Sequence, residues 1–401
     1  MPDSLLMNTL RFGIAGLGNM GSIHARSILG GNIPRARLTA VSDPVADLAC
    51  YGPEARAFRS TEAMIRSGTI DAILIATPHY AHTTLGIDAL EQGLHVLVEK
   101  PISVHKADAQ RLIAAHRNRS QVFAAMFNQR TDPHFLKIRE LIRSGELGQI
   151  RRVTWLITNW FRSQAYYDSS GWRATWSGEG GGVLLNQSPH NLDLFQWLFG
   201  MPSKVRAHCQ FARFHDIEVE DDVTAFCEYP GGATGTFITS TGEAPGTNRL
   251  EIAAERGRLV LEEDKIHWKR NEVPAGQFSR ATRSGYATPP IWDIEIPIRG
   301  GGGQHNGILR NFVDAVLDGA PLIAPAEEGL HSVELANAML MSTFLDRTIA
   351  LPLDGAAYEA LLQEKIATSR GKEKLARIPV SAALTDEAGL PFKAHPSYAQ
   401  T

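Results

Sequence analysis

Cysteine is scarce: Cys50, Cys209 and Cys227 stand far apart, with no CxxC pair. That excludes a disulfide framework and a thiolate zinc site, and it suits a reducing cytoplasm, where the protein is expected to reside. No uninterrupted apolar run approaches the ~18 residues a membrane helix needs. The amino terminus has no basic segment and carries an acid at Asp3, so it does not read as a signal peptide. Surplus charge is also lacking, since 40 basic side chains face 43 acidic ones and the net charge is −3. So balanced a chain has no field to hold a phosphate backbone, and neither nucleic acid nor a membrane is an expected partner. The 14 histidines include His79 and His82, but there is no HExxH motif and no metal is expected. A GxSxG elbow and a P-loop lysine are missing too.

What is present is an ordinary globular composition, 43% apolar and 21% charged, over 401 residues. At roughly 100–200 residues per domain this allows two or three domains. Short apolar runs alternate with helical patterns through the first third: Leu10–Ala15, Arg37–Val41, Ala72–Ala76, His95–Val98 and Val122–Met126. Continuous apolar strands separated by helices predict a parallel sheet covered on both faces. After about Phe127 the pattern changes to alternating runs, which predict an antiparallel sheet with one covered face: Arg152–Thr158, Val205–Arg213, Val223–Glu228, Gly235–Thr239, Leu250–Ala254 and Leu259–Leu261. Helices are expected over Leu185–Phe199, Gly307–Leu317, Gly329–Leu345 and Tyr358–Ile366. The expected architecture is an α/β Rossmann domain (a doubly wound parallel sheet) at residues 1–127. An α+β domain with a large, mainly antiparallel open sheet follows at 128–353, then a C-terminal helix and polar tail at 354–401.

The first strand ends in Gly16-Leu17-Gly18-Asn19-Met20-Gly21, a GxGxxG turn between a strand and a helix. Asp43 follows roughly twenty residues further on, which matches the dinucleotide fingerprint. Gly16 permits the tight turn, Gly18 lets the backbone approach a pyrophosphate, and Gly21 allows close packing of helix on strand. The helix N–H groups at Asn19 and Met20 then face the phosphate charge. Asp43 would accept from the ribose hydroxyls and repel a 2′-phosphate. Pro44 and Val45 follow it, with no arginine for that phosphate, so NAD rather than NADP is expected.

Glu99-Lys100-Pro101 closes another strand, and Thr77-Pro78-His79-Tyr80-Ala81-His82 precedes it. With Gly171-Trp172-Arg173 and the run Gly180-Gly181-Gly182 through Asn186 and His190 to Asp193, this resembles the Gfo/Idh/MocA group, which includes glucose–fructose oxidoreductase and inositol dehydrogenase. The resemblance spans roughly residues 10–350. It implies an NAD(P)-dependent oxidoreductase acting on a sugar or polyol, assembled as a homodimer or homotetramer through its open sheet. It also implies that Thr77, Pro78, His82, Glu99, Lys100 and Asn128 lie along the nicotinamide side, with Trp172 and Arg173 as a cofactor-side pair.

Oxidising a secondary alcohol requires a proton acceptor and stabilisation of charge on oxygen. Lys100 stands where ligands of open α/β sheets bind, and its ammonium would stabilise a developing alkoxide. His190 has an intrinsic pKa suited to acid–base work near neutrality. By the resemblance, the two flank the reacting hydroxyl. One departure matters: four residues ahead of His190, where many relatives carry aspartate, stands Asn186. Both fall on the expected Leu185–Phe199 helix, one turn apart, so their side chains can meet, but an amide cannot stabilise an imidazolium by charge. Asn186 is therefore read as a contact to a sugar hydroxyl, and Asp193 as packing or capping of that helix. Trp160, Tyr166, Tyr167 and His305 are candidates to line the carbohydrate pocket, with Gly300–Gly303 as a mobile loop. Two other readings stay open: an NAD-retaining lyase or glycosidase that works by transient oxidation, and a non-catalytic nucleotide-sensing regulator.

Overall fold

The computed structural model describes residues 9–371. The readings of the extreme amino terminus and of the polar tail fall outside them. Six parallel strands form the first sheet: Leu10–Ala15 (β1), Ala36–Ser42 (β2), Arg56–Phe58 (β3), Ala72–Ile75 (β4), His95–Val98 (β5) and Phe123–Ala125 (β6). Their order is β3-β2-β1-β4-β5-β6, so the winding direction reverses between β1 and β4, where such sheets open a ligand crevice. The crossovers are Asn19–Leu29 (α1), Thr61–Ile65 (α2), His79–Glu91 (α3) and Lys106–Ala115 (α4). All four residues of β4 are buried, as a sheet covered on both faces requires.

Pro133–Arg143 (α5), capped by Asp132, leads to a nine-stranded sheet. Its strands are Ile150–Ile157 (β7), Lys204–Phe211 (β8), Glu220–Glu228 (β9), Thr234–Ser240 (β10), Asn248–Ala254 (β11), Gly257–Glu262 (β12), Lys265–Asn271 (β13), Ile291–Ile296 (β14) and Ile349–Ala350 (β15). The order is β14-β13-β12-β11-β7-β10-β9-β8-β15, antiparallel throughout except for the parallel pair β7–β10. Between strands lie Gln164–Asp168 (α6), Pro189–Phe199 (α7), Ala275–Ala281 (α8), Gln304–Asp318 (α9) and Gly329–Phe344 (α10), with Gly355–Ala367 (α11) at the end. Helices α7 and α10 cover one face. On the other, Thr224, Phe226 and Glu228 of β9 are exposed while Val223, Ala225 and Cys227 point inward. Among the described residues no helix is long and apolar enough to cross a membrane.

Three features differ from the sequence expectation. Helix α7 starts at Pro189, not Leu185: proline suits the first helical position, and Glu220 already holds the N–H groups of Gly182 (2.8 Å) and Leu184 (3.0 Å) in a turn. Strands β13 and β14 extend the sheet beyond the last expected strand. In β13 the exposed Lys265, His267 and Lys269 alternate with buried Ile266 and Trp268, a strand pattern the expectation passed over, whereas β14 leaves Ile291 and Trp292 exposed, which blurs its alternation. Helix α9 follows the second sheet in sequence yet packs on the first, with Ile308, Leu309, Phe312 and Val313 completing its core and the Phe12 and Phe312 rings 5.7 Å apart.

Candidate active site

At the end of β1 the backbone makes room for an anion. Gly16 has φ of +84°, and a Cβ there would lie 2.6 Å from the Ala76 carbonyl oxygen. A Cβ on Gly21 would sit 1.8 Å from the Gly16 carbonyl oxygen, whereas nothing lies within 4 Å of one on Gly18. Gly18 caps α1 with no side-chain hydrogen bond, so the N–H groups at Asn19 and Met20 meet no capping side chain. Asp43 closes this turn from the next strand. Its Oδ2 accepts from Leu17 N at 2.8 Å and its Oδ1 from Val45 N and Ala46 N, both at 2.8 Å. An arginine does stand nearby: Arg59, from beyond β3, donates to the carbonyls of Asp43 (3.2 Å) and Ala46 (2.7 Å). It was invisible in the residues following Asp43 because it arrives from the neighbouring strand.

The loops after β4 and β5 meet over this crevice. Pro78 is exposed, and Thr77 carries a buried Oγ1 with no hydrogen-bond partner among the described residues. Both ring nitrogens of His82 face carbonyl oxygens at 2.8 Å, those of Thr77 and Pro101, so His82 ties the two loops together and turns neither nitrogen toward the crevice. Glu99 accepts from Lys100 N at 3.1 Å and pairs with His24 Nε2 at 2.8 Å. Burial works to raise the Glu99 pKa, but His24, with His305 and Lys100 behind it, brings it down to about 2. His24, on the inner face of α1, carries no motif that marks it in the sequence. His305 stacks edge-on to His24 with ring centres 5.6 Å apart, and burial, then His24 and Lys100, lower its pKa to about 4.

Lys100 reaches into the second domain, where its Nζ donates to the carbonyl oxygen of Asn186 at 2.8 Å. Burial lowers its pKa, helped by Arg173 and Arg162 and opposed by Glu99 and Glu179. His190, at the start of α7, is 2% exposed. Burial drives its pKa well below the usual imidazole range, and the charges of Lys100 and His305 push the same way. Its Nδ1 has no hydrogen-bond partner among the described residues, nor does the Oδ1 of Asn128, whose Nδ2 donates to Gln304 at 2.9 Å. Lys100, His190, Glu99 and His305 thus share one electrostatic neighbourhood at the carboxyl ends of the first sheet.

Asn186 does not share a helix with His190. It lies in the turn before α7, where its Nδ2 donates to Glu179 and its Oδ1 accepts from Tyr166 Oη at 3.4 Å. Arg173 donates to the same phenol at 2.7 Å and lies over the rings of both Tyr166 and Trp172, while Trp172 packs on His79 of α3. Asp193 takes two hydrogen bonds from Arg130, at 2.7 and 2.6 Å, and packs the helix as expected. Tyr167 is buried against Thr241, away from any opening. Trp160 donates to Asn191 at 3.2 Å, and both border a cavity of about 330 Å³ together with Asn248 and Glu262. The Gly300–Gly303 tract is exposed; Gly302 lies against the Thr131 carbonyl, and Gln304 N, just beyond the tract, donates to Thr131 Oγ1 at 2.7 Å. Among the described residues no group of three or more His, Cys, Asp or Glu side chains is placed to hold a metal.

An open glycine turn at the switch point, buried polar atoms around it with no hydrogen-bond partner among the described residues, and a second sheet behind the crevice are the features of a two-domain, nucleotide-dependent oxidoreductase. Residues 10–127 match the oxidoreductase-family NAD-binding Rossmann fold, and residues 135–260 match the GFO/IDH/MocA C-terminal domain. The chain belongs to the Gfo/Idh/MocA family. It is 29% identical over 353 residues to inositol 2-dehydrogenase of Rhizobium meliloti, covering 86% of this chain and 99% of that one. The WlbA dehydrogenase of Bordetella pertussis, solved with NADH and UDP-GlcNAcA, aligns with a TM-score of 0.74 at 25% identity, covering 86% and 99% of the two chains. Levoglucosan dehydrogenase, solved with NADH and levoglucosan, shares the fold with a TM-score of 0.70 at 20% identity, covering 86% and 100%.

Proposed function

We propose that the protein oxidises a secondary hydroxyl of a sugar, glycoside or polyol with NAD, using Lys100 and His190 as its charge-stabilising and acid–base pair. The reading is supported by Lys100, whose ammonium is bonded to the Asn186 carbonyl in the turn that leads into α7, and by the buried imidazole of His190 on that helix, whose pKa Lys100 helps to lower. The turn Gly16–Gly21, Asp43, Thr77 and Asn128 would hold the dinucleotide, with Trp172 and Arg173 closing over it from the second domain. When bound, the nicotinamide supplies the hydride acceptor. His190, held neutral by burial, takes the hydroxyl proton. Lys100 keeps two N–H groups beyond its bond to Asn186 and directs them at the oxygen as charge develops there. The cavity beside Asn191 receives the rest of the substrate, with Trp160 offering an aromatic face. Asp132, Glu262 and Asp264 on its wall disfavour an anionic sugar. The uncovered face of the large sheet is where two copies would associate, and the cell compartment consistent with three free thiols is the cytoplasm.

The test is a panel of neutral polyols, monosaccharides and glycosides with NAD, followed by NADH absorbance. At least one neutral compound is expected to turn over, with Lys100→Ala and His190→Asn each losing at least ~100-fold in kcat. Product formed without net NADH would favour the lyase or glycosidase reading. Nucleotide binding with no turnover of any member would favour the regulator.

A further inference from the structure

Position 186 carries an amide where charge is useful, yet a buried carboxylate touches that amide. Glu179, inside the turn before α7, is 1% exposed. Its Oε2 accepts from Ala174 N at 2.6 Å and its Oε1 accepts from the Asn186 side chain. Neither contact is an ion pair: burial raises the Glu179 pKa, while Arg173, these two hydrogen bonds and Lys100 favour its charged form, whose charge acts on the groups beyond. One residue away is Lys100, bonded through Nζ to the Asn186 carbonyl.

We propose that Glu179 is a positioning residue of the active centre. It holds the Asn186 amide in one orientation and supplies Lys100 with the negative charge that residue 186 does not carry. This rests on the dehydrogenase reading above. An ionised carboxylate only accepts, so it fixes the Asn186 NH₂ toward itself and turns Oδ1 to Tyr166. Tyr166 in turn accepts from Arg173 and, at 3.2 Å, from Gln187 Nε2, which leaves its own proton for Asn186. The chain carboxylate–amide–phenol–guanidinium therefore has one consistent direction of donation. It holds the peptide carbonyl to which the lysine is anchored. Electrostatically, Lys100 is faced by Glu99 from its own loop, Glu179 from the turn before α7, His79 and His82 from α3, Arg162 and Arg173 from the segment before the glycine turn, His190 from α7 and His305 from α9. Only Glu99 and Glu179 in that set are negative. Glu99 is already bound to His24, which leaves Glu179 as the counterweight to the arginines.

The experiment exchanges the charge between the two partners and reads Lys100 directly. In the unliganded protein, the pH dependence of Lys100 acetylation by acetic anhydride, followed by peptide mass spectrometry, reports its pKa. Glu179→Gln is expected to lower that pKa by about one unit and kcat by about tenfold, with thermal melting and NADH binding close to the parent's. The swap Glu179→Gln with Asn186→Asp returns the carboxylate to the pair and is expected to bring the pKa back to within about half a unit of the parent's, with most of kcat. Asn186→Asp alone sets a second carboxylate against Glu179 and removes its amide donor, so kcat is expected to fall, because the site already holds its charge; a gain of tenfold or more would mean the charge was missing and overturns the proposal. If Glu179→Gln is not recovered folded, the swap decides: a Lys100 pKa lowered by about a unit or more overturns the proposal as well. An unmoved Lys100 pKa in Glu179→Gln, with Lys100→Ala still inactive, sinks the role of Glu179 and leaves the dehydrogenase reading intact. Failure of the parent to oxidise any carbohydrate sinks that reading, and the acetylation profile still tests Glu179.

Discussion

Glu220 shows how a single buried acid ties this fold to pH. Burial, with Glu179 nearby, raises its pKa to about 7 against the backbone N–H groups of Glu220 itself, Leu184 and Gly182, which favour the charged form. In the unfolded chain the same group titrates near ~4.3. Below both values the two states are protonated alike. Between them unfolding releases a proton, so the contribution to stability falls as pH rises and is at its lowest above the folded pKa. Glu220→Gln copies the protonated form. The variant should therefore exceed the parent in urea stability at pH 8 by up to about 3 kcal/mol, with the difference vanishing below about pH 4. A variant less stable than the parent at both pH values would contradict this account. Glu220 and Glu179 were both passed over in the sequence. Gly16, Lys100 and His190 stand in local patterns whose chemistry can be read on the spot, whereas these two acids acquire roles only when the glycine turn folds against β9 and the loop after β5. Asn186 was legible as a departure, but its partner was not.

A buried charged cluster joins elements at the site. Arg130, 1% exposed, follows β6, holds Asp193 of α7 through two hydrogen bonds and also reaches Glu328 just ahead of α10. One guanidinium thus fixes the helix that carries His190 relative to the first sheet. Arg130→Met strands a buried carboxylate, and the expected loss is about 3–5 kcal/mol by chemical denaturation. Arg130→Met combined with Asp193→Leu should recover a good part of it, since no buried charge then lacks its partner; equal losses in the two variants would argue against this role. At this scale the sequence was clear wherever one face is covered. The runs that became β1, β4, β5 and β9 are apolar or alternate cleanly. β13 alternates as well, with Lys265, His267 and Lys269 out and Ile266 and Trp268 in, and was passed over; β14, at the sheet edge, exposes Ile291 and Trp292, which blurs its pattern. The start of α7 was misplaced because Leu184 and Leu185 continue its apolar pattern, although they belong to a turn that Glu220 holds from another strand.

For the whole molecule, the uncovered sheet face presents Phe226, 44% exposed, on the same strand whose opposite side is core. Light scattering is expected to give a dimer or tetramer, and Phe226→Glu is expected to shift it toward monomer, by at least ~10-fold in dissociation constant. A monomeric parent would remove the basis for association through this face. The two-layer plan was legible from the change in periodicity near residue 127, but the allegiance of α9 was not, because an amphipathic helix does not say which sheet its apolar side will meet. That allegiance bears on synthesis. The nucleotide-binding layer lacks α9 until Asp318 has emerged. At ~5–20 residues per second, a ribosome leaves its Ile14- and Phe12-bearing sheet uncovered on one side for roughly ten to forty seconds. A fragment cut at residue 127 would stay in that state permanently, offering nascent-chain chaperones, or other copies of itself, the apolar surface that Ile308 and Phe312 normally close.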